Sequence, residues 1–478
     1  MSSLRFIWLL PALLGAACRP TAPVPPTARA LPAAYGPAAP TSDTASVGAL
    51  PWRQFFQDPA LVALLDTAIR QNPDLQVATQ RVAVAQAELL VRRGALLPTV
   101  SAVATAGVDR YSQWSMTGVG NIDLNRSTNI ERHQQVPNPT PDFFLGLRST
   151  WEIDLWGRLG ALRRGAAARL LASEQGRRLV QTDLVAQTAR TYYDLLALDQ
   201  ELEILVRNAR LQERAVEVSR IQKQGGRATE LAVQQFVAQL ARTRSLEAET
   251  RQRIAEAENE LNRLLGRYPR PVARGVALLT QPVPAALAVG VPTALLRHRP
   301  DVRQAEQELL ASRADVEAAR AAFLPSLTLT PYVGTQAFAA ARLATPEALA
   351  LGALAGLTAP LFNRAALRAN LTRTTAEQIA AYYRYQQATQ AGVAEVSTHL
   401  QGLHNLNEAY QRRTEEVAAL NRAVDVSNEL FLAGYASYLE VITAQRNVLD
   451  AELTQVGLRR QQFERLTGLY RATGGGWQ

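Results

Sequence analysis

The 478-residue chain has little from which to build a disulfide or metal framework: one cysteine, Cys18, and four histidines. A single cysteine excludes an internal disulfide and any cysteine-based zinc site. The sequence also lacks an apolar run of the ~18 residues that a spanning helix needs, which excludes a helical membrane protein. A β-barrel stays open, because its alternating signal is faint in composition. Lysine is almost missing: of 51 basic residues only Lys223 is a lysine, and against 42 acids the net charge is +9. The arginines are spread among glutamates, as in Arg251-Gln252-Arg253-Ile254-Ala255-Glu256. A nucleic-acid surface needs them clustered. They read as solvated helix faces, and no nucleic-acid partner is expected.

What is present begins with an export signal. Arg5 precedes an apolar stretch, Phe6 to Leu14, then Gly15-Ala16-Ala17 and Cys18. The stretch is too short to span, so residues 1–17 read as a cleaved signal peptide. The arrangement resembles a bacterial lipoprotein signal, which implies that Cys18 becomes the lipidated first mature residue. Ordinary cleavage nearby, with Cys18 incidental, stays open, since Gly15 stands where such signals usually carry leucine. Residues 18–57 read as the lipidated N-terminus and a linker; positions 19–51 alone hold eight of the 25 prolines. Such a segment is an extended tether.

The body repeats itself. Asn72-Pro73-Asp74-Leu75 returns as Arg299-Pro300-Asp301-Val302, and Leu97-Pro98-Thr99-Val100 as Leu324-Pro325-Ser326-Leu327, both offset by 227. Further on, Leu155-Trp156-Gly157-Arg158 returns as Leu361-Phe362-Asn363-Arg364, and Gly226-Arg227-Ala228-Thr229-Glu230-Leu231 as Gly434-Tyr435-Ala436-Ser437-Tyr438-Leu439. The divisions expected are a first repeat at 58–270, a linker at 271–291, a second repeat at 292–470 and a C-terminal tail at 471–478.

Each repeat predicts the same order of elements. A Pro-Asp start opens a helix (74–96; 301–323) that a Leu-Pro ends. Two strands joined by a loop follow, Thr99 to Tyr111 and Phe143 to Leu155 in the first repeat, Ser326 to Gln336 and Leu349 to Phe362 in the second. Their period of two fits a wall with one wet side. Proline-free stretches then run from Leu159 to Lys223 and from Ala366 to Ala433, each about 100 Å long as a helix. Val396, Leu403, Tyr410, Val417, Val424 and Phe431 fall every seven residues, as do Ile442, Leu449, Val456, Phe463 and Tyr470. Leu195, Leu198, Leu202, Leu205 and Ala209 step by three and four. A 3.5-residue period predicts coiled coil. Turns at Gly225-Gly226 and Gly434 predict two antiparallel hairpins, each ~100 Å long.

These strings, in this order, resemble the outer-membrane factor family of Gram-negative bacteria, the TolC-like channels, and most closely its efflux lipoproteins. The carrying residues include Trp52-Arg53-Gln54-Phe55-Phe56, Asp58-Pro59, Arg299-Pro300-Asp301, Ala359-Pro360-Leu361-Phe362, Ala444-Gln445-Arg446 and Leu469-Tyr470-Arg471-Ala472 leading to Gly474-Gly475-Gly476-Trp477. The resemblance implies a mostly α fold with a small β part. Three protomers would share a 12-stranded outer-membrane barrel, four strands each, above a periplasmic tunnel of helical hairpins, with 112–142 as an extracellular loop. It implies an exit duct of a tripartite system, served by a periplasmic adaptor and an inner-membrane transporter, in contact with outer-membrane lipid.

The resemblance also implies a pore gate just after the second tip. Leu439 and Glu440 match the leucine and acid of the family, while Thr443 stands where many members carry aspartate. Rings of acids bind cations and a leucine ring resists wetting. Helix packing for Leu439 and a solvated tip acid for Glu440 are the plainer alternatives. Gly225, Gly226 and Gly434 are the expected adaptor-docking tips.

No enzyme is expected. His399 and His404 are five apart and share no helical face, His133 and His298 stand alone, and no metalloprotease, nucleophile-elbow or phosphate-loop spacing occurs. No catalytic, metal or cofactor site is expected. Two other readings remain at this stage: the duct of a one-step protein secretion system, and a periplasmic coiled-coil scaffold without a pore, which would not need the strands.

Overall fold

The computed structural model describes residues 31–32, 34–35, 46–284, 288–362 and 364–478. Cys18, the signal peptide and most of the Pro-rich linker lie outside the described residues. Among the described residues, eight helices of more than two turns and four strands follow one another: α1 (Pro59–Gln71), α2 (Pro73–Gly94), β1 (Thr99–Asp109), α3 (Met116–Arg126), β2 (Thr140–Ile153), α4 (Arg158–Gln224), α5 (Glu230–Leu264), α6 (Pro300–Ala321), β3 (Ser326–Ala337), β4 (Leu349–Thr358), α7 (Ala365–Ala433) and α8 (Tyr438–Ala472). Apart from α1 and α3, which belong to the first half alone among the described residues, the order is the same in both halves, helix, two strands, long helix, returning helix, as the duplicated sequence predicts.

Helix ends follow local chemistry. Asn72 caps α2, its side chain accepting from Leu75 N, with Pro73 in the first turn; proline fits there because the N–H it lacks has no helical partner. Pro360, which cannot donate to a ladder, lies just past the end of β4, so that strand is shorter than its expected run to Phe362. The segment 112–142, expected to be a loop, contains α3. Ser115 caps it by accepting from Gly118 N at 3.1 Å. The two glycines inside it, Gly118 and Gly120, are poor helix formers and hide it from the sequence.

The hairpins differ from the expected pair of ~100 Å arms. α4 has 67 residues and α7 has 69, but the returning helices α5 and α8 have only 35 each, about 52 Å. The remaining length is covered by the helices that open each repeat. α5 ends where α2 begins, and Asn72 Nδ2 donates to the Leu264 carbonyl at 2.9 Å. α8 ends where α6 begins, and Arg299 donates to the Ala472 carbonyl at 3.0 Å. Two helices stacked end to end thus run beside each long one. The lower half of α4 is tied to α5 by Arg244–Glu213 and Arg253–Glu201, and its upper half to α6 by Arg164–Glu317.

The heptad positions point inward. Ile442, Leu449, Val456, Phe463 and Tyr470 are all buried, as are Val396, Leu403 and Val424. The main core sits where α1, α4, α5 and α8 meet, around Phe56, Leu65, Tyr192, Leu261 and Phe463. Tyr193 stacks on Phe463 (4.3 Å, 18°) and Phe55 on Tyr470 (4.0 Å, 11°). The strings at 52–56 and 469–472, both of which carry the family resemblance, therefore meet in space. The C-terminal segment is packed rather than a loose tail: Arg178 lies over the Trp477 ring at 4.4 Å, and the indole N–H donates to the His298 carbonyl.

Candidate functional site: the barrel wall and the hairpin tips

The four strands form one antiparallel sheet in the order β1-β2-β3-β4. Antiparallel partners directly opposite each other lie on the same face, so the register sorts the side chains. One face carries Ala104, Leu145 and Thr335, then Ala102, Leu147, Val333 and Leu351, and lower down Trp151, Leu329 and Ala355. The other carries Ser101, Arg148, Tyr332 and Gly352, with Thr105, Phe144 and Gln336 above and Glu152, Thr328 and Gly356 below. One face is apolar with scarcely an exception and the other is mostly polar or glycine. The apolar face is exposed at Leu145, Leu147, Val333, Leu351 and Leu357. Strands of 10 to 14 residues are long enough to span a bilayer when tilted, which takes ~9–11. Among the described residues nothing pairs with the outer edge of β1 or of β4. An open edge in lipid is not viable, so the sheet is a segment of a larger closed wall.

At the membrane-proximal end of the helices, Leu97, Leu155, Trp156, Leu361 and Phe362 are exposed. Trp156 donates its indole N–H to the Pro325 carbonyl at 2.7 Å. A tryptophan anchored this way beneath an apolar wall suits the headgroup level.

At the far end are the tips. Gly226 (φ 71°) and Gly434 (φ 83°) take the left-handed conformation that ends a helix, and Gly225 is the C-cap of α4. The Tyr435 N–H returns to the Leu430 carbonyl at 2.9 Å and that of Arg227 to Gln222 at 2.8 Å. The first tip is bridged by an ion pair between Lys223, the only lysine, and Glu230. Lys223 holds the Glu230 carboxyl below its ordinary value. The second tip is closed by a reciprocal cap. Ser437 is the N-cap of α8, and Glu440, three residues on, bonds back to the Ser437 N–H at 2.7 Å and to its hydroxyl. The Ser437 hydroxyl, followed by the backbone N–H groups, lowers the Glu440 pKa. The carboxylate therefore stays ionised at the helix N-terminus, where the dipole also favours negative charge.

Leu439, Glu440 and Thr443 are all exposed and share one face of α8, followed by Asn447. The opposite face, Val441, Ile442 and Gln445, is buried. Val441 and Ile442 pack on Val216 and Phe236 of the first hairpin. Leu439, 61% exposed, lies outside the apolar cluster that joins the two tips, and Glu440 is a capping residue as well as an exposed acid. The capping role is readable as the S-x-x-E pattern at 437–440, a capping box. A groove of about 200 Å³ runs between the two hairpins just above the tips, lined by Val218, Phe236, Phe431, Val441 and Gln445. The Gln445 Oε1 is buried there without a hydrogen-bond partner.

The seam between hairpins higher up is charged. On α4 and α8, Arg207 pairs with Glu452 at 2.7 Å, Asp194 with Arg460 at 3.0 Å and Asp183 with Arg471 at 2.5 Å. Sequence reading missed this ladder, because its partners are more than 200 residues apart.

Comparison with known proteins gives the same picture. The family model described as outer membrane efflux protein matches residues 64–267 and 291–475. The pyoverdine export outer membrane protein OpmQ of Pseudomonas putida is 33% identical, over 99% of this chain and 98% of that one. The antibiotic efflux pump outer membrane protein ArpC of Pseudomonas putida is 30% identical, over 95% of this chain and 91% of that one. Among solved structures, the outer-membrane channel OprN superposes with a TM-score of 0.82, covering 95% of this chain and 99% of that one at 24% identity. With two-faced strands, a fold that matches a solved outer-membrane channel and a family model spanning both repeats, the chain belongs to the outer membrane efflux protein family.

Proposed function

We propose that this protein is the outer-membrane exit duct of a tripartite efflux system, passively exporting small molecules that an inner-membrane pump and a periplasmic adaptor deliver. The observation that carries this is the sheet. Its apolar and polar faces and its two unpaired edges fit one third of a barrel that three protomers close. The helices below, about 100 Å long, continue that wall into the periplasm. The duct performs no chemistry; the pump supplies the energy.

Its moving part is the second tip. Leu439, Glu440 and Thr443 project from one face of α8, and three copies around an axis form a narrow ring. A leucine ring resists wetting and an acidic ring attracts cations. The groove between the hairpins beside Val441 gives the second hairpin room to shift against the first. Gly225, Gly226 and Gly434 present the turns to the adaptor, and Cys18 carries the lipid that helps to hold the N-terminus at the membrane. A single acyl chain binds weakly and adds to the barrel's own insertion.

The test is physiological. A strain lacking the protein should accumulate the pump's cargo, and the wild-type gene should restore export. Restoration of export by a form lacking β1 to β4 would contradict the duct.

A further inference from the structure

The lumen face of the sheet holds four charged positions: Asp109, Asp142, Arg148 and Glu152. Three of them are accounted for locally or lie at the rim. Asp142 accepts from Gln336 at 2.8 Å. Glu152 takes both bonds of Arg158, at 2.7 and 2.8 Å. Asp109 ends β1 at the extracellular edge. Arg148 is different. It is exposed, sits at mid-height in the row Ser101–Arg148–Tyr332–Gly352, and has no carboxylate partner among the described residues.

Its surroundings are aromatic and held flat. The guanidinium lies 5.9 Å from the Phe144 ring centroid, and Phe144 meets Tyr332 edge-on at 6.0 Å. The rings lie against backbone. A Cβ on Gly334 would stand 3.0 Å from the Phe144 ring, and one on Gly352 would stand 2.7 Å from that of Tyr332. Glycine at these places lets the rings lie along the wall instead of across the lumen. Glu152 is four residues below, roughly 13 Å along the strand, and Asp142 six above, roughly 20 Å. Both distances exceed the Debye length of about 8 Å at physiological salt. The charge of Arg148 is therefore not cancelled within the sheet.

We propose that Arg148 from three protomers forms a cationic ring in the barrel lumen that binds the anionic groups of outgoing cargo, with Tyr332, exposed beside it and backed by the buried Phe144, offering a flat surface to an attached aromatic ring. This rests on the exit-duct reading. Guanidinium groups suit sulfonate, carboxylate or phosphate oxygens, and rings of Arg or Lys line anion-conducting pores.

The test uses the purified trimer in a planar bilayer, with 8-hydroxypyrene-1,3,6-trisulfonate, a flat trianion, as the blocker. Added on the barrel side in 0.1 M KCl, it should block the wild-type current, and more strongly than from the tip side. The half-blocking concentration should rise at least tenfold in Arg148→Gln and stay within about threefold in Arg148→Lys. Block of the wild type should fade in 1 M KCl, where screening shortens to about 3 Å; this arm needs no variant. Absence of block, block independent of salt, or equal block in Arg148→Gln would overturn the ring while leaving the duct intact. Absence of any conductance would overturn the duct reading itself.

Discussion

Arg299 donates to the carbonyl of Ala472, the last residue of α8, just as Asn72, its counterpart in the first repeat, donates to Leu264 at the end of α5. The last carbonyls of a helix have no partner of their own. Each repeat solves this by letting the residue that opens its first helix receive the end of its last. Two short helices thereby become one long support for α4 or α7. Arg299 is 4% exposed and also grips Asp301 and Glu395. Burial pulls its pKa down, but the two carboxylates outweigh it and hold the guanidinium above its ordinary value.

Removing that joint should loosen the tunnel. Arg299→Ala leaves Asp301 without its cation and the Ala472 carbonyl without this donor, while Glu395 keeps Arg471 at 3.5 Å; with both carboxylates partly solvated the cost should be about 1–3 kcal/mol. Arg299→Lys should fall between, since an ammonium cannot reproduce the fork. Loss of heat-resistant trimer on a gel reads this directly.

The register makes a prediction about the wall. Leu147 and Thr330 lie on opposite faces of the sheet. An arginine on the lipid face near the bilayer midplane costs about 2–4 kcal/mol, so Leu147→Arg should lower the yield of inserted trimer. Thr330→Arg, facing the lumen, should insert normally. Outer-membrane fractionation distinguishes the two, and equal yields would mean the faces are misassigned.

At the second tip, charge and capping can be separated. Glu440→Gln preserves the capping box and removes the charge. It should leave the tip folded and lower the preference for cations in reversal-potential measurements. Leu439→Ala should raise the current of the resting channel. Unchanged resting current in Leu439→Ala would place the constriction elsewhere.

Stability should also depend on pH. His399 on α7 lies over Gly468. Burial, then Arg465, lowers its pKa below the ordinary 6.5; Glu395 opposes this, while Arg190 and Arg471 add to it. Between the lowered folded value and 6.5 the unfolded chain binds more protons. The stabilisation is complete above about 6.5 and is lost as pH falls through the folded value. The melting temperature should drop on acidification from pH 7 to 5, and His399→Gln should flatten that part of the profile.

Much of this architecture was legible in the sequence because duplication and heptads are patterns along the chain. The strands were found from alternation at Val100 to Gly107, and the long helices from proline-free heptads ending near Ala433. What was not legible depends on residues far apart. The end-to-end joints at Asn72 and Arg299 pair positions 192 and 173 residues apart, and the α4–α8 charge ladder spans still more. Helix α3 was missed because its glycines argue against it. At the tip, Leu439 and Glu440 were named from resemblance, whereas the cap that holds Glu440 is a local motif that had gone unread.

The central claim is that three copies close one barrel over one tunnel. The most direct measurement is the single-channel current of detergent-purified protein in a planar bilayer, with its mass measured in the same detergent. A trimer that inserts and gives discrete conductance steps, larger in Leu439→Ala, is the result expected. A monomer, or a trimer that inserts without conductance in either form, would contradict the account.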